Sequence, residues 1–377
     1  MRSLRSNVGL SRREVWYRIH LWLGIGLGLY FVMLGLTGTL LVFGRELDEY
    51  LNPDLLTVTP GPARQPVSAI LASFERSHPG VPVTNLGFPT EPNGVYTIRV
   101  GPTRPSQLRV YLDPYTAQVV GERNLARSLY GFLVSLHYTL YLGPPGRVLN
   151  GWGSLLLLML LTSGVRLWWP GLRATSSVWK ARFSVRRGAG ASRLLYDVHN
   201  AVGVYSLAFA LVFTLTALEF AFPNQVRPLL HALDGSRAEG VPGAVGNLHT
   251  GGGGPRGPDL DRLVAIADRS AAGQLFGLEL PQDSSGTVRV TKALDAYAYT
   301  RARIEITMDS RTAQVQSVDD TREEPLGDAL IRWCVPLHYG IWGGMPTKIL
   351  YFVLGLLPAA SLATGFWKWR LRAARAR

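Results

Sequence analysis

Four histidines stand at the ends of apolar runs, and they form two look-alike pairs. His20 in Tyr17-Arg18-Ile19-His20 and His199 in Tyr196-Asp197-Val198-His199 each open such a run. His137 in Leu136-His137-Tyr138 and His338 in Leu337-His338-Tyr339 each precede another. An imidazole is costly in lipid and needs a reason to be there. Two facing neutral imidazoles, each with its second ring nitrogen free for an orienting partner, are the ligand set of a six-coordinate b-type haem. Gly24 and Gly28 follow His20 on the same helix face, and Gly203 follows His199 at the offset of Gly24 from His20. A glycine one turn from an axial histidine leaves room for a porphyrin; close packing of helices through small residues is the competing explanation. Few carboxylates or thiolates stand near the four histidines, which argues against a mononuclear metal site. His78, His231 and His249 lie in polar outer segments and read as polar interfacial residues bonded to a carbonyl or a lipid headgroup.

The elements that must position these residues are membrane spans. Residues 19–44, 150–169, 200–222 and 347–369 are each apolar and long enough to cross a hydrocarbon core of about 30 Å. None carries a charge deep in its centre; Arg166 and Glu219 lie near ends, where snorkelling is tolerated. The net charge of +13 is concentrated before the first span, between the second and third, and after the fourth. That distribution is a topology signal and argues against nucleic acid as partner. By the positive-inside rule both termini and the 170–195 loop are cytoplasmic. Residues 19–44 are too long for a signal-peptide core and lack a clean cleavage site, so they read as an uncleaved anchor. Cys334 is the only cysteine. It permits no intrachain disulfide and no covalent haem attachment, so any haem is held non-covalently.

The chain reads as one unit used twice: helix out, outer module, helix back. Segments 1–44, 45–125 and 126–169 make the first copy, and 170–195 is the basic loop. Segments 196–222, 223–327 and 328–377 make the second. In both outer modules a strand runs into an Asp-centred turn followed by Thr-Ala-Gln-Val, at Asp113 and at Asp309. Each module is expected to hold one helix (67–77; 260–272) and a hairpin (95–100 with 108–112; 287–291 with 301–308). Residues 235–258 read as a Gly/Pro linker. Pro/Gly breaks at 143–146 and 343–346 should separate a short outer helix carrying the histidine from the span behind it. The fold class expected is therefore membrane α-helical. It has four main transmembrane helices in two parallel pseudo-repeats, each with an inserted small α+β periplasmic module.

These features together resemble the PepSY-associated transmembrane helix family of iron-regulated inner-membrane proteins. The residues that carry the resemblance are 16–24 around His20, Leu136-His137-Tyr138 with Pro145-Gly146-Arg147, 196–203 around His199, and Leu337-His338-Tyr339-Gly340 with Gly344-Met345-Pro346-Thr347. The match covers nearly the whole chain, and the strand–Asp turn–strand elements are similar to PepSY modules. The resemblance implies a ferric-siderophore reductase of the bacterial inner membrane that uses haem to carry electrons to the periplasmic face. His20, His137, His199 and His338 are the matching ligands of two haem b groups.

On this reading an inner haem at His20/His199 and an outer one at His137/His338 form a wire to ferric siderophore. Arg18 and Arg193 are candidates for the haem propionates. Tyr138, Tyr339, Trp333 and Trp342 are candidates for the substrate surface. No GxGxxG follows a strand, so the electron donor must be external, quinol or a soluble reductase. The rival readings are a non-redox permease for iron or siderophore, which inverted repeats and intramembrane carboxylates would favour, and a PepSY-type regulatory membrane protein.

Overall fold

The computed structural model describes residues 11–100, 108–186, 188, 190–235, 259–280, 286–294 and 302–375. The expected linker from residue 236 onward and His249 lie outside them. The chain divides into two compact units. One comprises Met1–Val42, Leu136–Pro223 and Met345–Arg377; the other comprises Phe43–Ser135 and Asn224–Gly344.

The first unit is helical. Among the described residues three helices are long and apolar enough to cross a membrane: Pro144–Trp168, Ala191–Ala221 and the stretch Met345–Ala374. At 1.5 Å per residue each exceeds the roughly 30 Å of a hydrocarbon core. The expected continuous first span is instead a pair, Arg12–Gly26 and Gly28–Val42, bent by 56° at Leu27, and the two count as a fourth span if taken together. The cause lies in the run of Gly24, Gly26 and Gly28, since glycine weakens a helix and marks kinks. Ser11 caps the N-terminus by accepting from the Glu14 N–H at 3.2 Å. The bare Cα of Gly28 admits Leu362, and Gly35 faces the Gly355 carbonyl, so the first and last spans approach through small residues.

The span at 144–168 begins earlier than the hydropathy indicates, because Pro144 and Pro145 occupy its first turn, where a missing N–H costs nothing. Leu140, Tyr141 and Gly143 take positive φ (51°, 60° and 64°) and break it from the helix Leu129–Thr139, as the Pro/Gly signal predicts. Trp168, Trp169 and Trp179 cluster at its end with ring centroids 4.9–6.3 Å apart. That cluster fits an interfacial belt.

Among the described residues the second unit is built on eight antiparallel strands. They are β1 (Asn85–Gly87), β2 (Tyr96–Val100), β3 (Leu108–Leu112), β4 (Val119–Asn124), β5 (Gln274–Glu279), β6 (Thr287–Ala293), β7 (Arg303–Asp309) and β8 (Val315–Asp320). Their order is β4-β3-β2-β1-β5-β6-β7-β8. Both expected hairpins are present. The two modules, expected to be separate, are halves of one sheet joined where Leu86 pairs with Leu278 and Gly87 with Gly277.

Helices Val67–Ser77 and Leu260–Ser270 pack on this sheet. Ile70, Phe74 and Leu263 are fully buried with Leu86, Ile98, Leu278 and Ile306. Burial alternates along β7, as a strand with one covered face requires. The repeated Asp turns also take one geometry. Asp113 accepts the N–H groups of Tyr115 and Thr116, and Asp309 those of Arg311 and Thr312. Ala117 and Ala313 behind them share a positive φ of 55° and 60°.

Candidate functional site

Within the helical unit His20 and His199 come together. Their ring centroids lie 6.2 Å apart and the planes cross at 83°. A metal bridging two imidazole nitrogens at about 2 Å each would hold such centroids roughly 6 Å apart, once the ring radii are added. The separation therefore admits an iron between the rings.

The other side of each ring is fully engaged. His20 Nδ1 lies 3.0 Å from Ser163 Oγ and 3.2 Å from the Leu160 carbonyl. His199 Nδ1 lies 3.0 Å from Thr364 Oγ1. Ser163 Oγ already donates its proton to Leu160 O at 2.7 Å, and Thr364 Oγ1 to Ala360 O at 2.7 Å. A hydroxyl that has donated its proton can only accept, so both Nδ1 atoms are the donors. In a neutral imidazole that leaves Nε2 as the lone-pair atom, the form that binds iron. Among the described residues Nε2 of neither ring has a hydrogen-bond partner. Gly164 and Gly365, next to the hydroxyl residues, lie under the rings. A Cβ added at either would come 3.2 Å from the Cε1 atom of its histidine.

Gly24 and Gly203 behave as a flat ligand would need. A Cβ at Gly203 would meet nothing within 4 Å, and one at Gly24 would only touch Leu160 at 3.8 Å. Gly28, by contrast, is filled by Leu362 and serves packing. The donor set and the open glycines fit a haem, with His20 and His199 as ligands. Among the described residues no group of three or more His, Cys, Asp or Glu could hold a metal ion by itself.

The expected propionate arginines are both engaged elsewhere. Arg18 pairs with Glu14 at 3.1 Å on the surface. Arg193 pairs with the buried carboxylate of Asp197 at 3.0 Å, and Arg186 adds a backbone N–H to the same group. Among the described residues the cation that acts on these histidines is Lys368, which charge reasoning counts only as part of the basic tail. Its Nζ lies 4.8 Å over the Tyr196 ring, and it acts on both His20 and His199. Lys368 has no carboxylate partner among the described residues. Two carboxylates that the hydropathy reading sets at span ends or overlooks, Asp197 and Glu219, are buried within the Ala191–Ala221 helix.

His137 also belongs to the helical unit and has the same kind of seat. Its Nδ1 lies 2.9 Å from Thr37 Oγ1, which donates to the Met33 carbonyl at 2.8 Å. A Cβ at Gly38 would come 3.1 Å from its Cε1 atom. Asn150 fixes the chain here by donating to the carbonyls of His137 and Tyr138, while Tyr30 donates to its side-chain oxygen. Burial pulls the His137 pKa down to about 4, so the ring is neutral at ordinary pH.

His338 lies in the other unit, on helix Leu326–Tyr339, with Tyr339 at 6.2 Å. Its pairing with His137 remains a reading of the sequence repeat. Of the proposed substrate aromatics, Tyr138 and Tyr339 are exposed, and Trp333 and Trp342 are half-buried. His231, expected to bond a carbonyl or a lipid headgroup, is buried and bonded to the Asp328 carboxylate at 3.1 Å. His78 bonds Glu122 at 2.8 Å.

Residues 17–372 match the family described as PepSY-associated TM region. An uncharacterised protein of Pseudomonas aeruginosa, PA4219, is 26% identical over 274 residues, which is 65% of this chain and 64% of that protein. The chain thus spans under two thirds of that relative's length. With a match over nearly its full length, the chain belongs to the family of PepSY-associated transmembrane proteins.

Proposed function

We propose that this membrane protein is a haem-dependent reductase. It would pass electrons across the bacterial inner membrane, with both termini cytoplasmic, to a ferric siderophore on the periplasmic side. The observation that carries the reading is the crossed pair His20/His199, 6.2 Å apart with both Nδ1 atoms occupied and both Nε2 atoms open. Haem b would supply a one-electron carrier between these ligands. His20 and His199 offer the two Nε2 lone pairs. Ser163 and Thr364 hold the rings, Gly24 and Gly203 leave the plane between them open, and Lys368 supplies positive charge for an acidic edge. His137 contributes the ligand of a second site, for which the sequence repeat offers His338.

The substrate chemistry follows from metal preference. Hydroxamate and catecholate oxygens hold Fe(III) more strongly than the softer, less charged Fe(II), so one electron releases the iron. The donor is a quinol or a soluble reductase docking on the basic loop and tail.

The test is the visible spectrum of the purified full chain before and after dithionite, with haem stoichiometry. A Soret band and an α-band that sharpens on reduction support the reading. His20→Ala and His199→Ala should each remove the same part of the haem. A colourless protein would instead favour a permease or a regulatory membrane protein.

A further inference from the structure

Three histidines of the helical unit, contributed by three different helices, meet the same local construction. A Ser or Thr followed by Gly occurs at Thr37-Gly38, Ser163-Gly164 and Thr364-Gly365. In each case the hydroxyl donates backwards to a backbone carbonyl of its own helix and accepts from a histidine Nδ1 at 2.9–3.0 Å. In each case the glycine Cα lies under the ring, and an added Cβ would crowd the Cε1 atom at 3.1–3.2 Å. Hydroxyl back-bonding alone is common in membrane helices. A glycine placed next to it, both meeting one imidazole, three times over, is a site construction that helix packing does not require.

We propose that these Ser/Thr–Gly pairs are imidazole seats: positioning elements that fix the Nδ1–H tautomer and the ring orientation of His137, His20 and His199. Seated on different helices, Ser163–Gly164 and Thr364–Gly365 hold His20 and His199 in their 83° crossing. The acceptor is a neutral hydroxyl rather than a carboxylate, so the imidazole donates to a metal as a neutral ring with only modest added basicity. This second consequence, that the seats set the potential of the bound iron, rests on the haem reading above. The first, the tautomer, does not.

The test uses the full-length protein labelled with 15N-histidine, with resonances assigned by single His→Ala variants. In haem-free protein, His20, His137 and His199 should carry the proton on Nδ1 and leave Nε2 unprotonated. Ser163→Ala should weaken the Nδ1–H hydrogen bond of His20 and shift its proton resonance upfield, while Ser163→Thr restores it. Thr364→Ala and Thr364→Ser should do the same at His199. In haem-loaded protein, nearly perpendicular imidazoles should give a strongly anisotropic low-spin EPR signal. Ser163→Ala should raise the midpoint potential and Gly164→Ala should change the EPR signal at unchanged haem content. An Nε2–H tautomer in the wild-type protein overturns the proposal. So does a Ser163→Ala protein whose Nδ1–H resonance matches wild type. Seated tautomers in a protein that takes up no haem would sink the reductase reading and leave the seats standing.

Discussion

The two arginines that look alike in the sequence should behave very differently when their partners are removed. Asp197 is 3% exposed and accepts from Arg193 Nη2 at 3.0 Å and from the Arg186 backbone N–H at 3.3 Å. At an effective dielectric of about 20, a charge pair 3 Å apart attracts by roughly 5 kcal/mol. The Arg193 side chain is 38% exposed, so solvent screens a good part of this. Removing the buried carboxylate forfeits its charge-assisted hydrogen bonds while the arginines turn to solvent, and we expect Asp197→Ala to cost about 1.5–3 kcal/mol. The control is Glu14→Gln at the exposed Arg18 pair, where both side chains are more than 40% accessible. That change should cost no more than about 0.5 kcal/mol. Equilibrium unfolding in mixed SDS micelles reads both. Equal losses for the two variants, or a loss under about 1 kcal/mol for Asp197→Ala, would refute the view that this carboxylate anchors the basic end of the third span.

Other expectations follow from the same structure. If the protein binds haem as proposed, Lys368→Met should lower haem affinity while leaving the folded helical content unchanged by circular dichroism, whereas Lys368→Arg should retain affinity; haem titration distinguishes them. Leu278→Ala, at a fully buried seam position, should cost about 2–5 kcal/mol and loosen both halves of the sheet together in hydrogen exchange. The Asp309 carboxyl is held below its ordinary range, chiefly by the Thr312 backbone N–H. Its contribution to the turn is full above the unfolded value and is lost only as pH falls through the lowered one, so Thr312 amide protection should persist below pH 3.8. Gly28→Leu should disrupt the packing of Leu362, visible as loss of apparent melting temperature without loss of the His20 tautomer.

The sequence exposes the histidines, the apolar spans and the Asp turns because each is a local pattern: a run, a period or a short repeated string. It also exposes Gly24 and Gly203 through their offset from His20 and His199, and the structure leaves space at both positions. What it hides are pairings between distant segments. Ser163 lies 143 residues from His20, and Leu86 meets Leu278 across the length of two modules. Yet a trace of the seats was visible. Ser-Gly and Thr-Gly each stand shortly before the tryptophans that close a span, at 163–164 and 364–365. The kink at Leu27 was hidden because hydropathy averages over a break that leaves the side chains apolar. Lys368 is lost in a tail rich in positive charge, where one half-buried amine is indistinguishable from its solvated neighbours.

The seam between β1 and β5 bears on how this chain could be divided. Either module expressed alone would present an unpaired strand at what is normally the middle of the sheet, Asn85–Gly87 in one case and Gln274–Glu279 in the other. Exposed strand edges of this kind recruit other chains. Truncated fragments should therefore self-associate through that edge.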